Sequence, residues 1–295
     1  MRHSKTMAAG FSLALVFLFF TGAYRLLGDV SQNEYSLLVF VELFAFLIPT
    51  VLVILFSKEE PVSLRLKPFD RKSLSFVLKA SFAVSFLSFL LSYLSSFFIN
   101  LYQQPNPVSD ALTVKGDDGI LLAVLAAAVV PALAEELYMR GAFFSSFEHL
   151  GTTVAIAMSA FSFALIHASA DNFFGPLIAG CLYAYLTYTL DSIWPAVISH
   201  CLNNLYSLLM NTLMLKFSAF GLWSYFLVFN LFCFLLFSYF ALSTLEKLIK
   251  KGVIKKFQKG SRNFPAGLFE TILSPGILLF MLLFISRTLF HLLTA

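Results

Sequence analysis

The chain has 295 residues, 59% hydrophobic and only 12% charged, with 36 Phe among them. A water-soluble domain of this size has no use for so much apolar side chain, whereas uninterrupted apolar runs of about 18 residues or more are what a bilayer span requires. The net charge of +4 is unremarkable in size, no nucleic-acid partner is expected, and membrane lipids are the expected surroundings.

The apolar runs predict transmembrane helices at roughly 8–28, 35–56, 73–100, 119–147, 152–169, 172–190, 193–215, 220–246 and 268–292. The expected fold class is therefore all-α: a polytopic helix bundle of about eight to nine spans, forming one membrane domain over 1–295 with a polar cavity inside it. The first run is followed by many others and carries no small-residue cleavage pattern around Thr21–Arg25, so it reads as a retained helix. The second run contains Glu42, which reads as a packing residue paired with a neighbouring helix, or as part of a proton path.

The connection 57–72 holds Lys58, Arg65, Lys67, Arg71 and Lys72 against Glu59, Glu60 and Asp70. The connection 101–118 is acidic, with Asp110, Asp117 and Asp118 against Lys115, and 246–262 is strongly basic, with Glu246 its one acid. Basic loops stay cytoplasmic. Arg2 and Lys5 then place the N-terminus inside, 57–72 inside, 101–118 outside, 246–262 inside and, with nine spans, the C-terminus outside. The basic stretch could also bind anionic lipid head groups. Cys181, Cys201 and Cys233 all lie in apolar segments and read as buried thiols.

Three polar groups interrupt the apolar runs. Glu135 and Glu136 follow the run Ile120–Ala134, with Arg140 one turn on. On a helix Glu136 and Arg140 share a face, in the favourable order, while Glu135 points about 100° away and has no partner in its own helix. An unpaired carboxylate there could act as a general base; both Glu residues and Arg140 could equally form a structural ion-pair network. His167 lies one turn after Phe163, as a structural histidine or a catalytic one. His200 and Asn204 project together from a third segment, and Asn203 falls on another face, where helix packing would explain it. Glu, His, His and Asn are the residue types that activate water and stabilise an oxyanion.

Glu135-Glu136-x-x-x-Arg140, Phe163-x-x-x-His167 and His200-x-x-x-Asn204, in this order, resemble the three motifs of the CPBP family, the CAAX-protease and bacteriocin-processing proteins also called Abi. The flanks Tyr138-Met139-Arg140-Gly141 and Ser192-Ile193-Trp194-Pro195-Ala196 are similar too. The resemblance covers about Ala123–Leu208, within a core at 119–215. It implies an intramembrane glutamate protease in which Glu135 and His167 activate a water, His200 and Asn204 form the oxyanion hole, and Glu136 and Arg140 support the site. It implies peptide or lipidated-protein substrates, of CAAX type or of bacteriocin or signal-peptide type, and no cofactor.

A zinc site built from Glu135, His167 and His200 is the metal alternative, although no His-Glu-x-x-His occurs. A non-catalytic membrane scaffold, a bacteriocin self-immunity protein and a transporter using Glu42 are the other functions to weigh. Two geometric questions remain for the structure. A straight helix from Thr152 would leave His167 up to roughly 10 Å from the depth of Glu135 and His200, to be absorbed by tilt or by a break near Pro131. Phe143, Phe144, Phe147, Phe161, Phe163, Phe173 and Phe174 either line a cavity or face lipid and other helices.

Overall fold

The computed structural model describes residues 3–27, 34–57, 61–100, 119–168, 172–219, 221–254 and 264–294. The acidic loop 101–118 and residues 255–262 of the basic stretch lie outside them. Every regular element among the described residues is helical, as it must be where no water competes for backbone N–H and C=O groups. The helices are α1 His3–Leu27, α2 Glu34–Phe56, α3 Leu74–Asn100, α4 Ile120–Leu150, α5 Thr152–Ile166, α6 Phe174–Leu190, α7 Trp194–Ala219, α8 Trp223–Lys250, α9 Phe264–Ile272 and α10 Pro275–Thr294.

Each expected span is thus helical, but the segments are not alike. Five helices, α1 to α4 and α8, have the length and apolarity of a full crossing, and the bent pair α9–α10 makes a sixth. With 15 and 17 residues, α5 and α6 reach only about 22–26 Å at 1.5 Å per residue, short of a hydrocarbon core of about 30 Å. The last expected span, 268–292, is two helices meeting at 69°. Pro275 is the cause: it lacks an N–H and its ring blocks the preceding turn, so it opens a new helix instead of continuing the old one.

Near Pro131, α4 does not break. It widens into π-helical turns at Leu125–Val129 and again at Leu137–Phe143. The first lies immediately before Val130-Pro131, where an α-helical turn would lose a hydrogen bond to the proline. The second carries Arg140 and follows directly on Glu136. Wide turns of this kind rotate the side chains beyond them relative to a regular helix.

Around α4 the other helices form the bundle: α2 on one side, α7 on another, α5 against its C-terminal end. Tyr138, Met139, Ala142, Phe143, Phe144 and Phe147 are fully buried there. By contrast, α8 packs mainly on α3 and leaves Tyr225, Val228, Phe229, Phe232, Leu235 and Tyr239 exposed. A continuous apolar surface of that kind is expected against lipid and is rare in water. Of the three cysteines, all free thiols, only Cys233 is fully buried; Cys181 and Cys201 are half-buried.

α1 and α10 cross with their backbones in near contact. A Cβ placed on Gly10 would lie 2.6 Å from the Ile277 nitrogen and 2.7 Å from the Gly276 carbonyl carbon. Only glycine permits this approach. Replacing Gly276 with Leu is expected to force the two helices apart and to destabilise the protein by about 1–3 kcal/mol, read as a lower thermal midpoint in detergent.

The segment 61–70 is more than a topology-setting loop. Arg65 donates through Nη2 to both carboxylate oxygens of Glu148, at 2.6 and 2.7 Å, and through Nε to Asp191 at 3.0 Å. Lys67 also pairs with Asp191. Backbone and side-chain bonds reinforce the join: Ile193 N–H to the Arg65 carbonyl at 3.0 Å, Ser192 Oγ to that of Lys67 at 2.6 Å, Trp194 Nε1 to that of Leu66 at 2.8 Å. The strap therefore fixes the C-terminal end of α4 to the α6–α7 turn. At Asp191 partial burial pushes the carboxyl up, but the bonds from Lys67 and Arg65 outweigh it and hold the group below its usual range. A depressed carboxyl stabilises the fold above its unfolded value of about 3.9 and loses that contribution as pH falls through its folded value. Asp191→Asn should lower the thermal midpoint at pH 7, by no more than about 1 kcal/mol for so exposed a pair, and the gap from wild type should close below about pH 4.

Candidate active site

The polar interior of α4 is organised by one oxygen. Glu136 Oε1 accepts from Arg140 Nη1 at 3.0 Å and from His200 Nδ1 at 2.9 Å. Glu136 and Arg140 are both fully buried. The i,i+4 pair expected from the sequence is formed, and α7 brings a third member to it. An uncompensated guanidinium in an apolar interior would be severely destabilising. Arg140 is compensated by Glu136, by the Gly180 carbonyl at 3.2 Å from Nη2, and by the rings of Phe163 and Tyr183 at 4.6 and 5.1 Å from its central carbon. Such contacts are favourable for a delocalised, weakly hydrated cation. A Cβ at residue 180 would meet the Ala160 Cα at 3.1 Å and Arg140 Nη2 at 3.3 Å, so glycine there lets α6 come close to α5 and to the guanidinium.

His200 is held on two sides. Its Nδ1–H donates to Glu136, and the Tyr183 ring stacks on it at 5.2 Å with an interplanar angle of 20°. Its Nε2 is left to act outward. His167 is fixed in a parallel way. Its Nδ1 lies 2.8 Å from the Phe163 carbonyl; a carbonyl only accepts, so Nδ1 carries the hydrogen and Nε2 keeps its lone pair. The Phe163 ring meets His167 at 5.1 Å and His200 at 5.5 Å, edge to face in both cases. One aromatic side chain therefore spaces the two imidazoles. α5 runs from Thr152 and ends at His167, with Ala168 turning out of the helix at φ 50°.

Glu135 on α4 and Glu42 on α2 are both buried, 5% and 3% exposed. Glu42, His200, Glu136 and Arg140 are the charged and titratable groups that act on Glu135. Asn204 is half-buried one turn from His200. Asn203, on its other face, has a buried Oδ1 without a partner. The sequence carried no signal for Gly180 or Tyr183, whose roles arise only from helix contact.

Between α2, α4 and α7 lies an open apolar cleft of about 200 Å³ lined by Leu43, Leu47, Leu133, Leu137, Trp194 and Val197. None of the seven phenylalanines singled out in the sequence lines it. Phe143, Phe144, Phe147 and Phe163 are buried between helices, while Phe161 and Phe174 are exposed on the outer face. Among the described residues no group of three His, Cys, Asp or Glu side chains is arranged to hold a metal ion.

Removing one partner of the buried pair should be far worse than removing both. Glu136→Gln or Arg140→Met alone is expected to cost about 3–5 kcal/mol, and the double variant substantially less than the sum. Tyr183→Phe should be close to neutral, since the hydroxyl is buried without a hydrogen-bond partner. Thermal unfolding of the four variants in one detergent tests both statements.

Residues 117–206 match the model of the Type II CAAX prenyl endopeptidase Rce1-like family. No curated protein and no solved structure matches the chain. The matched segment runs from the start of α4 into α7 and contains all three motifs and the whole Glu136–Arg140–His200 cluster, so it is this core that is similar to the CAAX-protease family.

Proposed function

We propose that the chain is a metal-independent intramembrane endopeptidase of the glutamate type, acting on membrane-associated peptides that are lipidated or small and apolar. The observation that supports this reading is that His167 and His200 both meet the Phe163 ring, at 5.1 and 5.5 Å, against the buried Arg140 of the helix that also carries Glu135. Glu135 takes a proton from a water whose other hydrogen is held by His167 Nε2. The hydroxide attacks the scissile carbonyl. His200, whose ring is oriented by Glu136, and the Asn204 amide stabilise the oxyanion. Glu135 then returns its proton to the leaving amine. The N-terminus is cytoplasmic in this reading, and the substrate reaches Glu135 along the cleft between α2, α4 and α7.

Purified protein in detergent should cleave members of a quenched fluorescent peptide panel, prenylated and plain, with and without a chelator. Glu135→Gln is expected to lower the rate about 100- to 10,000-fold and Asn204→Ala about 100- to 1,000-fold, with the chelator having no effect. Loss of cleavage on chelation would move the site to metal chemistry. A Glu135→Gln protein that cleaves like wild type would end the proposal, and a protein that cleaves nothing while Glu135→Gln retains its cellular effect would make it a scaffold or immunity protein.

A further inference from the structure

The mechanism above leaves unused a cation inside an apolar span. Lys79 lies in the membrane-length stretch Arg71–Phe97 and is half-buried. Its ammonium donates to Thr244 Oγ1 of α8 at 3.0 Å. That hydroxyl is neutral, and among the described residues no carboxylate forms an ion pair with Lys79. A cation so placed reaches toward the interface and is stabilised by an anion there. Two rows of side chains meet at this bond. On α3, Ser75 and Lys79 share a face, with Lys72 one turn before them. On α8 the same spacing lines up Leu236, Phe240, Thr244 and Lys247, continued by Lys251 at the C-terminal cap. Leu236 and Phe240 are 37% and 44% exposed, and Lys72, Lys247 and Lys251 are exposed. Phe76, Val77, Leu248 and Ile254 are buried in one cluster that holds these ends of α3 and α8 together, with Phe69 packed on it. The α8 row thus changes from apolar to hydroxyl to cationic in one direction, and the α3 lysines belong to its cationic end. The acids of these segments are already engaged: Asp70 accepts the Lys72 backbone N–H, and Glu246 pairs with Lys250.

We infer that the α3–α8 seam at this end of the bundle is a binding site for a phospholipid with an anionic headgroup. Lys79 and Thr244 hold the phosphate, Lys72, Lys247 and Lys251 surround it, and an acyl chain runs along Phe240 and Leu236. The choice of ligand follows from the two halves of the row. A soluble anion has no use for the apolar half. A zwitterionic lipid brings a cation of its own against four lysines. An anion that carries hydrocarbon matches both halves, and clustered lysines at a membrane surface attract such lipids. Bound there, the lipid also bridges two helices from distant parts of the chain. The inference does not depend on the peptidase reading.

The test titrates the purified protein, freed of lipid in a neutral detergent, with phosphatidylglycerol or phosphatidylcholine and counts bound lipid by native mass spectrometry. Wild type is expected to prefer phosphatidylglycerol. Lys79→Gln should weaken that binding about fivefold, the equivalent of about 1 kcal/mol for one cation near a membrane surface. Lys79→Arg restores the cation and should keep most of the preference. Lys67→Gln removes an exposed lysine whose charge is already taken by Asp191, and should leave the preference as it is. Equal binding of the two lipids by wild type overturns the inference. So does a loss in Lys67→Gln as large as in Lys79→Gln, which marks a diffuse surface field. Displacement of the lipid by an equimolar amount of glycerol phosphate also overturns it, since the site would then serve a free anion. Should Lys79→Gln fail to fold, the double variant Lys247→Gln/Lys251→Gln, at exposed positions, carries the same expectation, and a wild-type preference in it overturns the inference.

Discussion

The three motifs meet around Glu136 Oε1. It receives a guanidinium from its own helix and an imidazole from α7, and it does so fully buried. Remove that oxygen and Arg140 becomes an uncompensated charge among Phe163, Tyr183 and the α6 backbone, and His200 loses a bond that orients its ring. Phe163 sits between that guanidinium and both imidazoles. The three motifs are therefore one mechanical unit. Two act through packed rings and one through a carboxylate, and the reactive nitrogens are simply what those contacts leave free.

The helices were legible because lipid reduces the choice of secondary structure to one, and the apolar runs mark where it applies. The Glu136–Arg140 pair was legible from helical spacing alone. What spacing cannot give is the rotation between helices. Glu42 could be recognised as a buried carboxylate, yet nothing in its own segment says which helix it faces. Tyr183 and Gly180 were invisible for the same reason, since each matters only for what another helix presents to it. The bend at Pro275 was readable in principle, but a hydropathy run averages across a proline. The π-helical turns of α4 shift the register of contacts without altering the apolar pattern, and no periodic signal announces them.

The strap at 61–70 shows how charge is used at the edge of such a bundle. Arg65 and Lys67 were conspicuous as basic residues, with orientation in the membrane as the obvious reading. Their partners Glu148 and Asp191 lie at the ends of α4 and α6. These residues tie the C-terminal end of the helix that supplies Glu135 and Glu136 to the turn that leads into the helix that supplies His200.

The crossing of Gly10 with Gly276 joins the first described helix to the last. Almost the whole described chain lies between these two contact partners, so their meeting is among the most non-local in the protein. During synthesis α1 enters the membrane long before α10 exists, and its glycine face waits against lipid until the end. The contact is entropically late, and because α1 also packs on α2, it closes the bundle around the helix that carries Glu42. The order of events this suggests is a site whose α4–α7 core can assemble first and whose α2 wall is locked last.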